Sequence, residues 1–166
     1  MSSQQRNAVA SVLFTVLGGP GIALVWAPWL ITRFYLPASA PLWRFLVGAA
    51  LVAAGVVPLL ESIARFVVVG RGTLIPTHAT ERLVVSGLYR FVRNPMYAGV
   101  MLAIVGESLA FWNYGLLIEL GFFAVSVNLF VRMYEEPRLT RRFGGEYLRY
   151  KANVPRWIPR ILPWRG

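Results

Sequence analysis

Four long apolar runs divide this chain of 166 residues, and they leave few folds open to it. They cover about residues 8–31, 42–64, 96–111 and 115–132. A helix crosses a bilayer with about 20 apolar residues at 1.5 Å rise each. The first two runs reach that length. The third and fourth are short, which predicts a tight helical hairpin turning at Trp112-Asn113-Tyr114, with its aromatics at the membrane interface. Hydrophobic residues make up 57% of the chain and charged residues only 14%, far fewer than in a soluble domain. The expected fold is an all-α integral membrane protein: about four transmembrane helices plus amphipathic cytoplasmic helices at the C-terminus, one domain over residues 1–166.

Charge orients this bundle. The net charge is +10, from sixteen Arg and one Lys against seven Glu, with no Asp. The segment from Arg65 to Pro95 carries five Arg and one Glu, and the tail from Arg132 onward carries eight Arg, one Lys and three Glu. The positive-inside bias puts both in the cytoplasm, which requires an even number of spans between them and places both termini inside. The expected location is a bacterial inner membrane. Basic residues confined to loops and tail suit anionic headgroups, so nucleic acid is not an expected partner. The chain has no Cys and one His, His78, so disulfides, palmitoylation and a metal site are not expected. The first run lacks a small-residue cleavage site after it and reads as an anchor.

Gly18-Gly19-Pro20-Gly21 interrupts the first run and predicts a kink. Glu61 and Arg65, four apart, predict a helical ion pair. Glu107 and Glu119 each lie six residues from Asn113, so they should share one depth in the membrane. They are expected to share a proton or to meet Arg33 or Arg44, in a structural role.

Two polar clusters remain. In Arg90–Tyr97, Pro95 fits the first turn of a helix. Asn94 fits the N-cap, its side-chain oxygen accepting from an early backbone N–H. A helix start beside Arg90 and Arg93 favours a carboxylate or phosphate. Glu135-Glu136 sits at the inner end of the fourth run, where the helix dipole disfavours carboxylates. An Arg, or a ligand with a cation and hydroxyl donors, would compensate. Both clusters lie on one side of the membrane and are expected to form one ligand site. Beyond them, Phe143, Tyr147 and Tyr150 share a face of an amphipathic helix that suits the inner leaflet.

Taken together, Gly87–Tyr97, Glu135-Glu136, Phe143-Gly144-x-Glu146-Tyr147-x-x-Tyr150 and Val154-Pro155-Arg156-Trp157-Ile158-Pro159 resemble the isoprenylcysteine carboxyl methyltransferase family, which is related to the phospholipid N-methyltransferases. The resemblance covers about residues 70–159. It implies a membrane enzyme that uses S-adenosylmethionine, releases S-adenosylhomocysteine and methylates a lipid-like or hydrophobic acceptor among the membrane lipids. It implies cofactor-site segments 86–102 and 132–159. Within them Tyr89, Arg93, Asn94, Pro95, Tyr97, Gly99, Glu135, Glu136 and Tyr147 would bind cofactor. This chain has Asn94 where the eukaryotic pattern has His, and an amide is no base at neutral pH. The most expected reaction is carboxyl O-methylation, as in isoprenylcysteine methyl esterification. A carboxylate nucleophile needs no base but needs an Arg to hold it, for which Arg141 and Arg156 are the candidates, with Arg138 behind them. Phosphatidylethanolamine-type N-methylation is the alternative, with Glu136 as proton acceptor. A non-catalytic scaffold or lipid-binding protein is the third reading.

Overall fold

The computed structural model describes residues 17–36, 40–69 and 82–166, together with the single positions 9 and 13. His78, most of the Pro37–Pro41 link and the start of the first apolar run lie outside the described residues. Those described form helices and connecting segments with no strand. Helix α1 is Gly19–Thr32 and α2 is Leu42–Val68. Helix α3 is Pro95–Phe111, α4 is Tyr114–Phe130 and α5 is Glu136–Asn153. A 3-10 turn, Gly87–Arg90, precedes α3.

By length and composition two helices suffice to cross a membrane: α2, and the continuous 40-residue helix from Tyr114 to Asn153 that joins α4 to α5. Helices α1 and α3 are apolar but shorter. The outward faces of the helices carry large apolar side chains, with Leu42 of α2 69% exposed and Phe122 of α4 76%. Such a surface is stable against hydrocarbon and not against water.

Proline shapes the helices in two places. Both Ile22–Trp26 and Val131–Glu135 are π-helical turns, and Pro28 and Pro137 follow two residues later. A proline lacks the N–H that would bond the carbonyl four residues back, and its ring crowds that carbonyl. The π turn absorbs the mismatch: the Ala27 N–H reaches Ile22 O and the Glu136 N–H reaches Val131 O. The predicted interruption near Gly18 is present, since Gly18 is non-helical (φ −111°, ψ −146°) and α1 starts after it with Pro20 in its first turn.

The most extensive helix contact is antiparallel, between α2 and α3. Gly48 meets Gly106 and Gly55 meets Gly99. A Cβ at Gly48 would lie 2.7 Å from Gly106 O, and one at Gly55 would strike Gly99 O and come 2.7 Å from Ala103 N. Small residues at these crossings let the two backbones touch. The α3–α4 hairpin turns where expected: Trp112 adopts the left-handed conformation, and Asn113 caps α4 by accepting from Gly115 N at 2.8 Å.

Glu107 and Glu119 are electrostatic neighbours, but they do not share a proton: Glu107 Oε2 and both Glu119 carboxylate oxygens are buried without a hydrogen-bond partner among the described residues. Among the described residues, no ion pair joins either carboxylate to Arg33 or Arg44. Arg33 lies over Trp29 (4.3 Å to the ring centroid) and Arg44 over Trp112 (4.9 Å), both within cation–π reach.

After Asn153 the chain leaves helix and runs back as a strap across the segment before α3. Arg93 N–H donates to Pro155 O (2.9 Å), Arg160 N–H to Phe91 O (3.0 Å) and Trp164 N–H to Arg90 O (2.9 Å). Beneath the strap Tyr147, Tyr150 and Val154 form a buried cluster with Leu83, Val85 and Trp164 packed against it. The positive φ of Gly144 (51°) breaks α5 and turns its second half onto that cluster.

Candidate functional site

The two polar clusters meet. Glu136, at the start of α5, is buried and takes three cations. Arg93 Nη1 donates to its Oε1 at 2.8 Å, Arg156 Nε donates to the same oxygen at 2.6 Å, and Lys151 Nζ lies 2.8 Å from Oε2. Arg93 is fixed further, with Nε donating to Val154 O (2.9 Å) and Nη1 to Tyr147 Oη (3.3 Å). Burial by itself would raise the Glu136 carboxyl. Hydrogen bonds from Arg156 and Lys151, with the charges of Arg93 and Arg156, outweigh it and hold the group at about 2. Glu136 is therefore a saturated anion at neutral pH, which removes it as the proton acceptor the sequence suggested.

Glu135 differs from its neighbour. It ends the π turn, past the apolar part of α4, and its one hydrogen bond among the described residues is long: Tyr97 Oη donates to Oε2 at 3.4 Å. Burial raises this carboxyl, the Tyr97 bond lowers it, the Glu136 charge raises it again, and the result is about 7. Successive residues of a helix point about 100° apart, and here Glu136 is directed to Arg156 of the strap while Glu135 is directed to Tyr97.

Tyr89 is buried on the 3-10 turn. Its carbonyl accepts from Tyr150 Oη at 2.7 Å, and Glu135, Ser62 and Glu61 are neighbours of its ring hydroxyl. Glu61 and Arg65 form the expected ion pair at 2.8 Å, yet Glu61 Oε2 is buried without a hydrogen-bond partner among the described residues. Gly87 (φ +59°) packs on this pair, where a Cβ would collide with Glu61 Oε1 and lie 2.8 Å from Arg65 Nε. Thus Glu61, Gly87, Tyr89, Tyr97 and Glu135 ring one polar interior at the end of an apolar bundle. Unfilled acceptors there suit a cation carrying hydroxyl donors.

Other expected site residues fall in different places. Pro95 opens α3 as expected, and Asn94 occupies the N-cap position. Its side chain does not cap: the Asn94 amide is drawn to the strap instead, Nδ2 donating to Arg156 O at 3.2 Å. Gly99 is turned into the α2 contact against Gly55 and Pro58, away from the polar interior. Arg141 is exposed on α5 and joins none of these bonds, and Arg156 is committed to Glu136. Sequence reasoning missed two partners. Lys151, the sole lysine, gave a weak signal as a lone ammonium among arginines. Glu61 was read only as half of an ion pair, although Gly87 marks where its segment must approach that pair closely.

A family model described as phospholipid methyltransferase matches residues 43–146. Among curated proteins, the chain is similar to protein-S-isoprenylcysteine O-methyltransferase B of Arabidopsis thaliana, 31% identical over 81 residues, which are 48% of this chain and 40% of the relative. The chain thus aligns with less than half the length of that relative. No solved structure matches.

Proposed function

Because the chain belongs to the phospholipid methyltransferase family, we propose that it is a membrane-embedded, S-adenosylmethionine-dependent methyltransferase. Its expected reaction is carboxyl O-methylation of a lipid-like or hydrophobic acceptor, the chemistry named for the similar plant protein. The observation that carries the reading is the polar interior between Glu61, Tyr97 and Glu135, backed by the buried Arg93–Glu136–Arg156 cluster. We read four spans, about residues 8–31, 42–64, 96–111 and 115–132, in one domain. Both basic segments then face the cytoplasm, so a polar cofactor enters from water and the acceptor enters sideways from the inner leaflet.

Bound S-adenosylmethionine would supply a methyl group on a sulfonium, which passes to an acceptor lone pair while the S–CH3 electrons remain on sulfur. Glu135 and Tyr97 would hold its hydroxyl and cationic groups, with Glu61 also beside Tyr89. Tyr89 is buried beside this corner, and alignment and desolvation would be the main catalytic contributions. Arg93 and Arg156 act through Glu136 to fix the strap against α3. A carboxylate acceptor arrives ionised and needs no base.

One observation favours a second reading, N-methylation of a phosphatidylethanolamine-type lipid. An ammonium must lose a proton before it has a lone pair to give, and Glu135, at about 7, is matched to take it. Purified protein incubated with labelled cofactor and either a prenylated cysteine analogue or phosphatidylethanolamine separates the two. Base-labile methyl ester is expected. A methylamine product would transfer the assignment to the second reading, and absence of S-adenosylhomocysteine binding by a folded protein would remove both.

The ionisation of Glu135 gives a pH prediction. Its folded value lies above the ordinary 4.5, so the ligand-free protein loses this group's share of stability as pH rises through about 7. Ligand hydroxyls and cationic charge favour the ionised form. S-adenosylhomocysteine affinity is therefore expected to rise between pH 6 and 8 by calorimetry. In Glu135→Gln it should fall about tenfold or more, in line with loss of a charged hydrogen bond, and the pH slope should flatten. An unchanged slope in the variant would assign the titration elsewhere.

A further inference from the structure

We infer that a second, separate site binds a phosphate group in the groove between the segment before α3 and the second half of α5. The groove has a volume of about 760 Å³, and Arg90, Arg149 and Arg165 line it with one acidic side chain, Glu146, and with Gly166. Its floor is apolar, from Leu83, Val85 and Trp164. Neither Arg149 nor Arg165 forms an ion pair among the described residues, and Arg90 spends only Nε, on Trp164 O at 2.7 Å. Ser86, also on the groove wall, has its Oγ buried without a hydrogen-bond partner among the described residues. Three guanidiniums lining one groove together with an unpartnered hydroxyl are a donor set for phosphate oxygens, which accept several charged hydrogen bonds at once.

The Tyr147–Tyr150–Val154 cluster shares Leu83, Val85 and Trp164 with this groove as packing partners. That layer stands between the groove and the Glu136 cations, so the two sites do not share a basic residue. The surroundings favour a lipid as the source of the phosphate. On the strap next to Trp164, Ile158 is 79% exposed, Ile161 94% and Leu162 71%. An apolar run that exposed rests in the membrane interface, which brings headgroups to the mouth of the groove.

The test uses the full chain in neutral detergent. Binding is followed by calorimetry with dihexanoyl phosphatidylglycerol, with dihexanoylglycerol, which has the chains but no phosphate, and with inorganic phosphate. One saturable site for the phospholipid is expected, weakened at least tenfold in Arg149→Gln/Arg165→Gln and within twofold of wild type in the charge-matched Arg132→Gln/Arg142→Gln. Inorganic phosphate binding as tightly as the lipid, and lost in the first variant, would keep the phosphate site and assign it to a soluble ligand. Equal weakening in both double variants, or none in the first, would overturn it, as would equal binding of dihexanoylglycerol. S-adenosylhomocysteine affinity, measured on the same samples, should stay unchanged in Arg149→Gln/Arg165→Gln, so failure here is distinct from failure of the methyltransferase site.

Discussion

Glu136→Ala is expected to destabilise the protein by about 3–5 kcal/mol, the usual cost of stripping one partner from a buried ion cluster. The carboxylate is 6% exposed, and Arg93, the most buried of its three cations, is 9% exposed. Removing the anion leaves that guanidinium desolvated with only Val154 O and Tyr147 Oη as partners. It also releases Arg156, so the strap loses its anchor to α5. Thermal unfolding in detergent should show the loss directly, and limited proteolysis should cut first within residues 154–166. Glu136→Gln keeps the shape and part of the hydrogen bonding, and should fall between wild type and alanine. The pH dependence has a definite sign. The carboxyl is held below its ordinary 4.5, at about 2. Its contribution is complete above about pH 4.5 and is lost as pH falls from there through 2. A melting temperature insensitive to Glu136→Ala would mean that the three cations are solvated without it.

Gly55→Leu is expected to separate α2 from α3 and cost about 1–3 kcal/mol or more, as overpacking of a close contact does. The added side chain has no way out, because the nearest atoms are backbone: Gly99 O and Ala103 N. Rotating α2 to relieve the clash would disturb Gly48 against Gly106 as well. The matched control is Gly121→Leu on α4, where a Cβ meets nothing within 4 Å. Heat-induced aggregation in detergent should set in earlier for Gly55→Leu than for wild type, with Gly121→Leu unchanged. S-adenosylhomocysteine binding should weaken in Gly55→Leu too, because α2 carries Glu61 and α3 carries Tyr97 to the same polar interior.

Much of the architecture was legible in the sequence because apolar periodicity and proline act locally. The second, third and fourth runs became helices near their expected bounds, and the turn at Trp112–Tyr114 followed from three polar or interfacial residues between two apolar runs. Asn94 shows where local reasoning stops. Its type and position both fit a cap, but a strap some sixty residues away offered its amide a carbonyl at 3.2 Å. Gly99 shows the same limit. A glycine four residues after Pro95 reads equally as a ligand contact or a helix crossing, and only the approach of Gly55 decides between them.

The sequence by itself determined that this chain is apolar helices with cationic ends, because burial in hydrocarbon and exclusion of charge from it depend on composition and run length alone. It also determined that two polar clusters lie on one side. The division of labour inside Glu135-Glu136 was decided only by the tertiary structure. Two adjacent identical side chains have the same intrinsic chemistry. In the fold one meets three cations that arrive from α5, the strap and the segment before α3, and the other has, among the described residues, a single long bond from Tyr97. Their ionisation diverges because charge and solvent around a carboxyl are set by neighbours distant in the chain, and those neighbours exist only once the strap has closed.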